Sequence, residues 1–320
     1  MGCCGRATPA HNTPRPVSCE NVIAVYNITM LEYNTPLPEL IPQRFSCRSY
    51  SREPITVEKR EQLQAFLDAL PPGPFGARPR FKLVAATETE RKSLRGLGTY
   101  GFIKDPTAFI LGAIPPSARD LEDYGYLMEA IILFATSLEL GTCWLGGTFT
   151  KSSFARRMAL SANENMPAVT SLGEFVGPAQ KRKGLVSRTA NAHRRLPWEE
   201  LFFDFAFDVP LLRHEGAEYS TVLEMVRLGP SASNKQPWRI LSYNEFWRFY
   251  LRRTPGYYED PLKRILGLCD LQRLDMGIAM CHFELTAKEL GLEGEWVVED
   301  KVTRYPDALT EYVVSWKSRD

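Results

Sequence analysis

The chain has 320 residues, enough for two domains or for one large domain made from a duplicated unit. Hydrophobic residues at 44% and charged residues at 24% form an ordinary globular composition. With 39 Lys and Arg against 38 Asp and Glu there is no overall field for nucleic acid or an anionic membrane, so a small-molecule partner is expected.

In chain order, residues 1–29 come first. Segment 1–19, with Pro9, Pro14, Pro16 and three cysteines, has no amphipathic period and reads as a disordered extension, with Met30 a candidate start. Met-Gly-Cys-Cys invites a lipidation reading, but Arg6 stands where the myristoylation pattern wants Ser or Thr. The lack of acidic residues before Glu20 leaves an organelle-transit reading open. The seven cysteines are irregularly spaced without a CxxC pair, which argues against a disulfide framework or a metal site and for a reducing, cytoplasmic setting.

Pro54 to Leu70 predicts a helix with Thr56 as N-cap, stopped by Pro71-Pro72-Gly73-Pro74. Phe81–Ala86 and Ala108–Ile114 read as strands and Asp123–Leu140 as a long buried helix, too charged at Glu129 and Glu139 to span a bilayer. Gly141 to Gly147 reads as a glycine-rich loop, and Ser171–Gly177 as a further strand. A basic segment runs from Lys181-Arg182-Lys183 through Arg188 to Arg194-Arg195-Leu196-Pro197; without interleaved aromatics it is a poor nucleic-acid site. Tyr219–Leu228 and Cys269–Leu290 predict helices, and Tyr312–Trp316 a closing strand.

A shift of 152 residues pairs Asp123 with Asp275, Gly125 with Gly277, Leu133 with Leu285 and Trp144 with Trp296. Shared leucines are cheap between apolar helices. A shared Asp-x-Gly start and a shared terminal Trp point to internal duplication and an α+β architecture.

Three segments could carry chemistry. Arg44-Phe45-Ser46-Cys47-Arg48 sets two guanidinium forks and a hydroxyl within five residues, suited to phosphate oxygens; a solvated basic turn would look the same. Trp144-Leu145-Gly146-Gly147 could bring backbone N–H groups to a ring edge, or could simply end a helix over a core Trp. Gly229-Pro230-Ser231-Ala232-Ser233-Asn234-Lys235-Gln236-Pro237-Trp238 offers Ser231, Ser233, Asn234 and Gln236 to a polar ring, although capping a connection is the commoner fate of such groups.

Taken together, Arg-x-Ser-x-Arg-x-Tyr, Pro-Ile-Thr-x-Glu-Lys, Gly-Thr-Cys-Trp-Leu-Gly-Gly, Arg-Arg-Leu-Pro and Pro-Ser-x-Ser-Asn-x-Gln-Pro-Trp resemble the nitroreductase family over roughly residues 36 to 316. The resemblance implies FMN, with Arg44, Ser46, Arg48 and Arg195 at phosphate and ribityl. It places Trp144, Gly146 and Gly147 at the ring edge, and Ser231, Ser233, Asn234 and Gln236 reaching across from a second half. Family members are normally homodimers. Here Leu70 to Phe75 lacks the Ser and Asn groups, and the second half lacks Arg-x-Ser-x-Arg, so each half has lost what the other kept. That resembles tandem, single-chain members: a monomeric pseudo-dimer of halves 30–207 and 208–320 with one FMN at their interface. Phe45, where the family often has Arg, suggests one missing phosphate contact. The implied chemistry moves two electrons from NADH or NADPH through FMN to a nitroaromatic or quinone, with no essential protein acid or base. The alternative is a flavin sensor or FMN store without turnover.

Overall fold

Thr56 folds back over the start of its helix, its hydroxyl oxygen accepting the Lys59 N–H at 3.3 Å. In the computed structural model, which describes residues 33–87, 96–175, 194–257, 269–299 and 306–319 besides Met1 and Leu94, this helix is α2 (Val57–Asp68). It follows a single turn, α1 (Leu37–Leu40). The readings of residues 1–29 and of Lys181 to Arg188 lie outside the described residues. Thr56→Ala should cost about 1 kcal/mol in a urea melt, the usual value of a lost N-cap.

The first half continues through β1 (Arg80–Ala85), β2 (Ala108–Ala113), the long helix α3 (Asp120–Ser137), β3 (Gly141–Leu145), α4 (Lys151–Met158) and β4 (Val169–Gly173). The four strands form one antiparallel sheet in the order β1-β2-β4-β3. Gly141 to Leu145 therefore does not form the expected loop. It is a strand paired along β4, and Gly141 has no side chain because a Cβ there would meet Cys47 at 2.9 Å.

β5 (Phe202–Asp204), inside the expected first half, and β6 (Ala206–Pro210), across the expected 207/208 boundary, join the sheet of the second half, which goes on with α5 (Ser220–Leu228), β7 (Trp238–Tyr243), β8 (Phe246–Arg252), α6 (Leu271–Glu289), β9 (Gly294–Val297) and β10 (Thr310–Ser318). Asp270 caps α6 by accepting the Gln272 N–H, and Gly291 at φ +75° lets the chain turn away behind it. The six strands run in the order β6-β5-β7-β8-β10-β9. Its last four members repeat the connectivity of the first sheet, with β7, β8, β10 and β9 in the places of β1, β2, β4 and β3.

The two halves meet along α3 and α6, and the meeting is reciprocal. A Cβ at Gly125 would stand 2.2 Å from the Leu274 carbonyl oxygen, and one at Gly277 would stand 2.1 Å from that of Glu122. Gly125 and Gly277 are 152 residues apart, and so are Glu122 and Leu274. Each helix thus offers the same two positions to the other, the signature of a two-fold interface built within one chain. Trp144 and Trp296, also 152 residues apart, each donate the indole N–H to a glutamate on the long helix of their own half, Glu129 at 2.7 Å and Glu284 at 2.6 Å.

The halves are also braided. Leu37, Leu40 and Ile41 pack in the apolar core of the second half, beside Trp238, Phe283 and Trp316. β5, which precedes that half's first helix, pairs in parallel with β7. The Leu37 N–H is held by the Glu289 carboxylate at the far end of α6.

Candidate functional site

Residues 44–48 run extended beside β3, with Ser46 bridged to Thr142 in parallel and the Cys47 N–H donating to the Thr142 carbonyl at 2.7 Å. Extended backbone sends alternate side chains to opposite faces. Arg44, Ser46 and Arg48 face a cavity of about 600 Å³, a volume typical of small-molecule sites. Phe45 and Cys47 face the apolar core of the first half, where Phe45 meets Phe175 edge-on at 5.2 Å. Position 45 points away from the cavity, so its lack of Arg removes nothing there.

The same cavity is lined by Trp144, Gly146 and Gly147 at the end of β3. A Cβ at Gly146 would stand 2.7 Å from the end of the Leu271 side chain at the start of α6, so a larger residue would have to push that side chain aside. Across the interface, Ser231, Ser233 and Asn234 complete the wall from the second half. Their loop is tightly wound: Ser233, Asn234 and Gln236 all take left-handed backbone at φ 51°, 54° and 48°. Such conformations cost free energy in non-glycine residues and persist where surroundings impose them. Here the Ser231 hydroxyl accepts the Gln236 N–H at 2.8 Å, and the Ser231 carbonyl accepts that of Asn234 at 3.0 Å.

Gln236 is not among the cavity-lining residues. Its side-chain carbonyl accepts the Leu196 N–H at 2.8 Å, and its amide donates to the Arg194 carbonyl at 3.2 Å. Asn234 also donates to Arg194, and its Oδ1 accepts from Arg195 at 3.1 Å. The polar loop thereby fixes segment 194–196, which carries Arg195 to the cavity.

Three guanidinium groups converge, Arg44, Arg48 and Arg195. Burial, followed by the charges of Arg44 and Arg227, pushes Arg195 down to about 10. An anion beside these groups would relieve that repulsion. Glu129 stands 3.8 Å from Arg44, but the same carboxylate oxygen lies 3.0 Å from the fully buried His282. Since Met225 offers only a carbonyl to His282 Nδ1, at 2.8 Å, that nitrogen carries a proton and the ring is fixed across the interface. Leu271, Leu274 and Ile278, one stripe of α6, supply an apolar wall, and Phe102 and Tyr257 complete the lining, with the Arg48 guanidinium over the Phe102 ring at 5.2 Å.

Sequence reasoning missed Phe102, Tyr257 and Asp275 as site residues. Phe102 sits in Gly-Thr-Tyr-Gly-Phe and Tyr257 after Pro-Gly, contexts that signal turns and nothing more. Leu271, Leu274 and Ile278 have helical spacing that also describes ordinary core. Asp275 was visible only as a repeat marker.

The donor set suits FMN. Three Arg side chains match a phosphate dianion, while a small-residue loop, Gly146 and an apolar wall leave room for a flat ring. A family model described as "Putative TM nitroreductase" matches residues 36–287. No curated protein matches. A crystal structure of a "putative nitroreductase" from Thermotoga maritima is similar over 92% of this chain and 98% of its own, at 18% identity and a TM-score of 0.54, which shows the fold. A "putative nitroreductase in complex with FMN" from Desulfovibrio desulfuricans is 23% identical over 45% of this chain and 88% of its own, with a TM-score of 0.36. Another in complex with FMN, from Exiguobacterium sibiricum, is 15% identical over 46% and 91%, with a TM-score of 0.37.

Proposed function

The chain belongs to the nitroreductase family, and from that membership we propose that it binds one FMN between its halves and passes two electrons from NAD(P)H to a small acceptor such as a nitroaromatic or quinone. One observation carries the reading: Arg44, Ser46 and Arg48 of the first half and Ser231, Ser233 and Asn234 of the second line a single cavity. Neither half assembles that combination alone.

When bound, FMN supplies the hydride chemistry. The chain's own residues bind and orient. Arg44, Arg48 and Arg195 neutralise the phosphate, and Ser46 adds a neutral donor. Gly146 and Gly147 keep side chains off the ring edge, and Leu271, Leu274 and Ile278 exclude water from one wall. The α3–α6 interface is already covered within the chain, so the working unit is a monomer.

Purified protein should be yellow, and flavin released by heating should approach one per chain. Anaerobic NADPH should bleach the colour within seconds, and a quinone should restore it. A ratio near two would sink the single-site reading, and a yellow protein that neither NADH nor NADPH bleaches would sink turnover.

A further inference from the structure

Asp123 and Asp275 occupy the same place in the two halves, near the start of the helix that crosses to the other half, yet their carboxyls are used differently. Asp123 accepts two backbone N–H groups, from Phe75 to Oδ1 and from Ala77 to Oδ2, both at 2.8 Å. Asp275 accepts one, from Ala232 to Oδ1 at 2.8 Å. Its Oδ2 is buried without a hydrogen-bond partner, and the residue lines the cavity. The Asn234 N–H, two residues past Ala232 as Ala77 is two past Phe75, goes to the Ser231 carbonyl at 3.0 Å instead.

We propose that Asp275 is held as a neutral acid whose Oδ2–H donates a hydrogen bond into the cavity, to a ring nitrogen or carbonyl oxygen of a flat heteroaromatic ligand. A buried oxygen with no partner is costly, and the cost is highest when the oxygen carries charge. With only one N–H to stabilise the anion, the neutral form prevails. The two halves provide their own comparison. Burial pushes Asp123 up to about 7 although two N–H groups oppose it, whereas burial drives Asp275 well above the carboxylate range with one N–H opposing and Asp270 adding to the rise.

The neighbours leave this assignment intact. Asp270 is tied to Arg253 at 2.5 Å, and Arg273 to Glu122 at 2.5 Å. The Tyr257 phenol, raised mainly by burial, stays neutral beside Ser233. Cys143, likewise raised by burial, is a thiol, and Arg44, Arg48 and Arg195 share the cavity.

The identity of the ligand rests on the FMN reading above; the protonation state does not. Two measurements separate them. In a deuterated-buffer infrared difference spectrum at pH 7, wild type minus Asp275→Asn should show the C=O band of a protonated carboxyl, without any flavin added. Its absence overturns the proposal whatever the cavity binds. In a fluorescence titration, FMN affinity of the wild type should fall about three- to tenfold as pH rises and Asp275 ionises, the net loss of one hydrogen bond. The ionised carboxylate still accepts from Ala232, so the loop stays braced while the donor is lost. Asp275→Asn keeps both an acceptor and a donor and should bind with affinity independent of that ionisation. Affinity that rises with pH in the wild type only would mean a carboxylate acceptor and overturn the proposal. If no form binds FMN but the infrared band is present, the FMN reading fails and the neutral acid stands.

Discussion

Gly277→Ala should lower the melting midpoint by roughly 5–10 °C, and Gly125→Ala should do nearly the same. A Cβ at position 277 would lie 2.1 Å from the Glu122 carbonyl oxygen and 2.7 Å from the Tyr126 nitrogen, both backbone atoms that cannot rotate aside. The methyl group must separate α3 from α6 along their crossing, which loosens the packing of both cores. Overpacking costs about 1–3 kcal/mol, here at the upper end because the obstacle is backbone, and in a large domain each kcal/mol shifts the midpoint by about 2–4 °C. Combining the two substitutions should cost clearly less than their sum, because helices already separated by one methyl have room for the second. Thermal melts of the three variants measure this. An unchanged midpoint in either single variant would remove the reciprocal crossing from the account of the fold.

Arg48→Ala should weaken FMN by about tenfold to a hundredfold while leaving riboflavin nearly unaffected, since only FMN presents the charge that this guanidinium is proposed to hold. Charge-assisted hydrogen bonds contribute roughly 1.5–3 kcal/mol each. Arg48 is a cleaner choice than Arg44, whose neighbour Glu129 also contacts His282 and Trp144, so that truncation there disturbs the interface as well. Arg48→Lys should recover only part of the affinity, a point charge replacing a planar fork. Equal losses for the two flavins, read by fluorescence titration, would assign Arg48 to folding or to the ring.

Much of this fold was legible where one local signal sufficed. The Thr56 cap and the proline stop marked α2, and apolar runs marked β1, β2, α3 and α6 to within a few residues. β3 looks like a loop in sequence because its five residues include Gly141 and precede two more glycines; its strand character comes from pairing with β4, which local composition does not record. The hairpin of β7 and β8, with aromatic residues on both sides of a turn at Asn244, φ 52°, follows directly on the polar motif and carries no Gly or Pro to mark its turn. At the site, clustered motifs were visible as clusters. Asp275, Phe102 and Tyr257 are single residues whose place at the cavity arises only when distant segments pack. The odd partnering of Asp275 goes with an N–H two residues from the loop atom it touches, that of Asn234, being spent on the Ser231 carbonyl.

The braid between the halves has a consequence in time. Leu37, Leu40 and Ile41 emerge from the ribosome early, but the Leu37 N–H is held by Glu289, 252 residues later. At about 5–20 residues per second, that interval is roughly 10–50 s. For its last 152 residues, from Ser137 to Glu289, the α3 face that α6 will cover has no partner, and β5 lacks β7 until Tyr243 has been added. A dimer assembled from separate subunits would meet this wait by diffusion. Here translation itself sets the delay, and the nascent first half must stay unaggregated until the chain is nearly finished.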